Sequence, residues 1–479
     1  MRPNVIFVID DQHRFDFVSY ENNGVTFTPN LERLAAGGVA FRRAYCPSPL
    51  CCPARAAIHS GRHGQNSGCF TNLHELPPGT PSFAHQFRQA GYRTVALGKT
   101  HMEIHAYDSD LTGEKHRRYM DSLGWDEISE DVGGSMMKAG IRCSYGDFLR
   151  SRGRFEDVVK FFQQWVYFMD ANRKPDLPFT MREFPFEEDI HETTYIGAKA
   201  VSWIERHDAA VPFLMHVGFI SPHSPESPLP KFMDLYRSRP EPKPVGWDDC
   251  PEPILQGRRA YRAEITHIDH WLGRIMDALS ARGLLENTII VFTSDHGEMA
   301  GDHRLFDKTS FYDASARVPL VIAGPGVTAR GRSEALVETI DAGKTLCELC
   351  DVPPHDLDQG VSLAALLRGQ TQSHRQNVYV EMGCDRMIFD GRHKLMWGEP
   401  SADTRKLGRL HLNKPVNIPP SPPRLFDLHE DPNELHNLAA EPSAKGLLCE
   451  MLAKLLVRTN ANQQTQPFKS RGEYKPLVV

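Results

Sequence analysis

The chain has 479 residues, with 55 Lys and Arg against 61 Asp and Glu, a formal net charge of −6, and 40% hydrophobic and 24% charged residues. This is the composition of an ordinary globular protein; it excludes disordered and fibrous chains, and the near balance of charge argues against a nucleic-acid binder. The ten cysteines do not read as a disulfide framework, which belongs to short secreted chains, and the apolar run Val5–Ile9 is too short for a signal sequence or a membrane span. The expectation is a cytoplasmic protein without nucleic-acid or membrane partners, in which most cysteines are buried as small apolar side chains.

In chain order, Val5–Ile9 predicts a strand buried on both faces of a parallel sheet. Thr28-Pro29 supplies an N-cap and a proline for a helix over 30–36, stopped by Gly37-Gly38. Thr80-Pro81 opens a second helix that Gly91 closes, and Arg93–Leu97 is the next strand. Phe213–Val217, Asn287–Phe292 and Pro319–Ala323 are further strands, separated by helices over His191–Arg206 and Ala260–Arg282. Such alternation means an α/β fold: a large, mixed but mostly parallel sheet between helices.

Residues 103–188 interrupt this pattern and read as an insertion over one sheet edge, near the active site. Its one apolar helix, Phe155–Met169, carries Phe155, Phe161, Phe162, Trp165, Tyr167 and Phe168 as core packing. From about residue 371, Val378–Glu381, Met387–Phe389, His393–Trp397 and Leu425–Leu428 are short strands without intervening helices. The Pro-rich loop Pro415–Pro423 interrupts them and a helix over Ala444–Arg458 follows. The organisation is a catalytic α/β domain over 1–370 and a small antiparallel α+β subdomain over 371–479.

Three segments carry chemistry. Asp10-Asp11-Gln12 and Ser294-Asp295-His296-Gly297-Glu298 each end a predicted strand, where open α/β sheets collect ligands, and paired oxygens from two such ends suit a hard cation. The alternative is that the acids only cap loops. Cys51-Cys52-Pro53-Ala54-Arg55 places a cysteine just before a helix N-terminus that favours anions, as an activated nucleophile or as a filler at a turn.

Cys51-x-Pro53-x-Arg55, with Gly61-Arg62 beyond, resembles the signature of the sulfatase family. The family's other motifs follow in order: Gly98–His101, Pro222-His223-Ser224-Pro225, Ser294–Glu298, Gly301-Asp302-His303, Lys308, Phe426-Asp427-Leu428 and Asp431–Glu434. The resemblance implies that Cys51, rather than Cys52, is converted to formylglycine by a formylglycine-generating enzyme. One hydroxyl of the hydrated aldehyde would attack sulfur, and the other would expel sulfate. It implies a divalent metal held by Asp11, Gln12, Asp295, His296 and the modified Cys51, with Asp10 behind the ligands, and Ca²⁺ preferred over Mg²⁺ or Mn²⁺. Arg55, Lys99 and Lys308 would neutralise sulfate, His101 would support the diol, His223 would protonate the leaving alcohol, and Asn72 would touch sulfate.

His59 departs from the family's apolar residue and reads as a buried, hydrogen-bonded histidine; Cys347-x-x-Cys350, placed on a helical pattern over Leu336–Leu349 that resembles a family core helix, reads as structural. The implied function is hydrolysis of small-molecule or saccharide sulfate esters, by a chain compatible with homo-oligomers. A relative cleaving phosphonate monoesters or phosphodiesters is the alternative, disfavoured because that branch tends to replace Lys99 and His101. A catalytically silent binding protein is disfavoured by retention of every reactive group.

Overall fold

The computed structural model describes residues 2–21, 24–104, 109–137, 139–163, 181–398 and 422–462. Eight strands form the main sheet: β1 (Asn4–Asp10), β2 (Gly38–Tyr45), β3 (Arg93–Gly98), β4 (Glu127–Glu130), β5 (Phe213–Gly218), β6 (Thr288–Ser294), β7 (Leu320–Ala323) and β8 (Gly331–Glu338). Their order is β4-β3-β5-β1-β6-β7-β2-β8; all neighbours pair parallel except β7, which runs antiparallel to both β6 and β2. Parallel pairing brings the carboxyl ends of β3, β5, β1 and β6 to one edge, and the catalytic candidates follow those ends.

All seven residues of β1 are buried because helices cover both faces. Val5, Phe7 and Ile9 pack with the helices Cys51–Ser60, Phe83–Gln89 and Asp341–Leu349. Ile6 and Val8 pack on the other side with Pro29–Ala36, Glu192–Arg206 and the long helix Glu252–Ala281. Each such buried aliphatic or aromatic side chain contributes about 1.5–3 kcal/mol, so the central strands form a rigid base for the loops at their ends.

Several expectations change in detail. Thr28 precedes its helix, but its hydroxyl accepts from Ser19 N at 2.8 Å; Asp269 of the long helix receives Leu31 N at 2.7 Å and Asn30 N at 3.1 Å instead. The second helix begins after Ser82, whose hydroxyl accepts from His85 N, so Thr80-Pro81 lies in the turn before it. The long helix starts at Glu252, two turns before Ala260, with a proline in its first turn. Leu336 lies within β8, and the helix that carries Cys347 starts only at Asp341.

The stretch 103–188 is more than an insertion, since it supplies the edge strand β4 and the helices Glu114–Asp121 and Ser144–Ser151. Its aromatic helix spans Phe155–Gln163, with Phe161 and Phe162 in a core shared with Leu229, Phe232 and Ala260; Trp165, Tyr167 and Phe168 lie outside the described residues.

A second, antiparallel sheet has the order β12-β11-β10-β9, from β9 (Val378–Met382), β10 (Asp385–Phe389), β11 (His393–Trp397) and β12 (Arg424–Asp427). One face, with Val380, Met387 and Phe426, packs on Tyr45, Phe311 and Ala316; the other, with Tyr379, Ile388 and Leu425, packs under the helix Lys445–Asn462. Most of the Pro-rich loop expected at Pro415–Pro423 lies outside the described residues.

Candidate active site

Two glycines let the strand ends converge. A Cβ on Gly98 would lie 2.1 Å from the Gly218 carbonyl oxygen, and one on Gly218 would lie 2.1 Å from that of Lys99, so β3 and β5 can exit side by side only without side chains there. Lys99 N donates to Gly218 O at 2.8 Å, which turns the lysine toward β1. Glu130, at the end of β4, accepts from Thr100 N at 2.8 Å and His101 N at 3.0 Å and fixes the same loop from its outer side. On the other flank, Gln12 N donates to Asp295 Oδ1 at 3.0 Å and His13 N to Ser294 Oγ at 2.9 Å, tying the end of β1 to that of β6. Gln12 makes that turn at φ 75°.

Cys51 is the first residue of the helix Cys51–Ser60, every residue of which is buried. Its Sγ lies 3.0 Å from Lys308 Nζ, 3.2 Å from His296 Nε2 and 3.8 Å from Asp11 Oδ1. Ligand atoms of Asp11, Cys51, Asp295 and His296 all fall within 4.8 Å of one another, and all four residues are buried. His296 Nδ1 lies 3.0 Å from Gly297 O and Nε2 faces the cluster; burial acts downward on the ring, but Asp295 and Cys51 prevail and favour its charged form, and a bound cation would take the place of the Nε2 proton. Gln12 Oε1 accepts from Lys308 Nζ at 2.7 Å and so faces the same lysine as Cys51. Carboxylate and amide oxygens with one imidazole can hold a divalent cation.

Positive charge surrounds the cluster. Lys99 Nζ pairs with Asp11, and Arg55, fully buried, donates through Nε to Asp295 Oδ2 at 2.7 Å, with Nη2 3.6 Å from Asp11 Oδ2. Burial opposes ionisation of Cys51 but is outweighed by Lys308, Lys99 and His296, with a hydrogen bond from His101, so the thiol is held well below its ordinary range. For Asp11, burial and Cys51 act upward, while Lys99, His223 and Lys308 prevail and hold the carboxyl below its usual range. His223 is partly exposed, with its Nδ1 2.6 Å from Ser224 O.

Asp10 stands behind the cluster, with its carboxylate on His13 Nδ1 at 2.7 Å and Asp11 as the inward acid. Two expectations shift. The Arg55 guanidinium is also engaged by the Lys99 carbonyl at 2.6 Å and the Asp10 carbonyl at 3.3 Å, so it braces the acids and strand ends rather than pointing at an incoming anion. Asn72 Oδ1 accepts from Cys52 N at 3.0 Å, capping the nucleophile's helix; only its amide nitrogen remains for sulfate.

His59 is buried among Phe7, Phe83, Trp125 and His216, but neither ring nitrogen has a hydrogen-bond partner. It is therefore not the hydrogen-bonded histidine expected, and burial keeps it neutral. Cys347 and Cys350 are core thiols, both pushed up to about 12 by burial, whereas Cys384 and Cys449 are exposed and depart from the buried pattern. Sequence reasoning gave no role to Glu130 or Glu298; the available signal was an acid at or just beyond a strand end.

The sulfatase family model matches residues 3–352, and one described as N-sulphoglucosamine sulphohydrolase, C-terminal, matches 301–462. An arylsulfatase of Clostridium perfringens is 27% identical over 96% of this chain and 94% of its own length, and a choline-sulfatase of Rhizobium meliloti is 27% identical over 92% and 83%. The fold is shared with a phosphonate monoester hydrolase of Agrobacterium radiobacter, with a TM-score of 0.76, 23% identity and 96% of each chain covered. It is shared too with a structure solved with its substrate D-glucosamine-2-N,6-O-disulfate, with a TM-score of 0.71, 19% identity and coverage of 98% and 100%. The chain belongs to the sulfatase family, within the alkaline phosphatase superfamily, and is a sulfuric ester hydrolase. Among the described residues no helix is long and apolar enough to cross a membrane.

Proposed function

We propose that the chain cleaves small-molecule or saccharide sulfate esters through Cys51 converted to formylglycine, with a divalent cation, Ca²⁺ in preference to Mg²⁺ or Mn²⁺, held by Asp11, Gln12, Asp295, His296 and the modified residue. The observation that carries this reading is the convergence of Asp11, Asp295 and His296 on Cys51 Sγ, with Lys308 3.0 Å from the same atom. Relatives named as an arylsulfatase, a choline-sulfatase and an ulvan-active sulfatase support the substrate class.

A cation held there supplies Lewis-acid polarisation of sulfate oxygens. The remaining work falls to the chain. Lys99 and Lys308 bind sulfate oxygens and stabilise charge that develops on them during transfer. Arg55 braces Asp11 and Asp295 so that both stay aimed inward. His101, in contact with Cys51, accepts a proton from the diol, while His223, on the open side, donates one to the departing alkoxide. Burial of the nucleophile and acids against the half-exposed His223 orients the ester with sulfate inward and alcohol outward.

The test uses protein co-expressed with a formylglycine-generating enzyme. Nitrophenyl sulfate is expected to be hydrolysed faster than the matching phenylphosphonate ester; the reverse ranking assigns the site to phosphonate or phosphodiester chemistry.

A further inference from the structure

Gln12 differs from the other proposed cation ligands because its side chain is an amide, so only one of its two ends can serve. Oε1 accepts from Lys308 Nζ at 2.7 Å; on the other side, Nε2 donates to Glu298 Oε2 and, at 3.4 Å, to Asp307 Oδ1. A lysine can only donate and a carboxylate can only accept, so a flipped amide would set donor against donor and acceptor against acceptor. The main chain at Gln12 is clamped as well, with N donating to Asp295 Oδ1 and O accepting from the Tyr261 hydroxyl. The plane of the amide is therefore the freedom left to be fixed.

Glu298 is in turn held rigidly. It is 3% exposed, and its Oε1 accepts from Ala300 N at 2.9 Å and Asp307 N at 2.5 Å, which leaves Oε2 for Gln12. We infer that Glu298 is a positioning residue: it locks the Gln12 amide so that oxygen, and not NH₂, faces the cation site. This rests on the cation site proposed above and extends it to a residue that touches neither the cation nor the substrate.

The polarity of the pair gives a specific test. In Glu298→Gln the new amide can keep its oxygen on the two backbone N–H groups only by turning NH₂ toward Gln12 Nε2. Gln12 must then flip and present NH₂ to Lys308 and the cation, or the substituted side chain must abandon its two backbone donors. Combining this change with Gln12→Glu restores a donor-to-acceptor contact and returns an oxygen to the site.

Ca²⁺ binding to metal-stripped protein is measured by calorimetry for wild type, E298Q and the Q12E/E298Q pair, with unfolding midpoints recorded with and without Ca²⁺. E298Q is expected to weaken Ca²⁺ binding about 10–100-fold, and the double variant to recover most of that loss. Unchanged affinity in E298Q overturns the role of Glu298 alone. A double variant no better than E298Q, or one that fails to fold along with it, reduces Glu298 to structural support and also overturns it. Wild-type protein that binds none of Ca²⁺, Mg²⁺ and Mn²⁺ overturns the cation site and this role together.

Discussion

Two regions bury clusters of charged side chains and use them differently. Where the small sheet and its helix meet the main body, Asp341 receives Arg375 through both oxygens, with His374 at 3.2 Å, Glu338 N at 3.1 Å and Val361 N at 2.8 Å. Glu338 receives Arg458 Nη2 at 2.9 Å on each of its oxygens. That network closes on itself, acid to base. At the strand ends, Asp11, Asp295 and His296 instead gather around one sulfur atom, with the cations behind or beside them. A closed network joins parts of the chain; a convergent one leaves lone pairs and positive charge aimed at a shared point, which a cation and an anion can then occupy.

The sharpest break between the two regions is kinetic. Cys51→Ala is expected to lower kcat on nitrophenyl sulfate by at least on the order of 10³-fold while the unfolding midpoint stays near wild type. Asp341→Ala should do the opposite, because it leaves buried Arg375 without its bidentate partner and with only Glu338, 3.6 Å away: a loss of about 3–5 kcal/mol in denaturant unfolding, with activity per folded molecule retained. If Asp341→Ala abolished turnover in folded protein, the division of roles would fail.

Within the convergent region, Lys308→Met should reduce kcat by on the order of 10²-fold or more, through loss of charge stabilisation rather than of folding. A gentler probe of the closed region is pH. Burial holds His63, beside Glu338 and Tyr379, down to about 4. The folded value is below the unfolded value of 6.5, so the unfolded chain binds more protons between the two. Stability present above pH 6.5 is then lost as pH falls through 4, and His63→Phe should flatten that acid limb in midpoints measured across the range.

The α/β class was legible because β1, β5 and β6 are continuous apolar runs separated by long helical patterns. β2 and β8 were not legible. In β2, Arg42 and Arg43 are only partly buried and the pairing with β8 shifts register between Phe41 and Arg43, so neither an alternating nor an unbroken apolar pattern survives. The reversed direction of β7 leaves no mark in composition. In the site, Cys51 and the acids could be picked out as residue types at strand and helix ends, but Asp10 and Asp11 are adjacent and only the resemblance chose between them. Arg55, Asn72 and Glu298 show why roles are harder to read than positions: each is defined by partners tens to hundreds of residues away, Asp295 for Arg55, Cys52 N for Asn72 and Gln12 for Glu298.

The central claim is that Cys51 is the precursor of the nucleophile. Mass analysis of the peptide containing it, from protein with full sulfatase activity made alongside a formylglycine-generating enzyme, tests this most directly. An aldehyde or its hydrate at Cys51, in proportion to activity across preparations, is the result expected; an unmodified thiol in fully active protein would contradict the account.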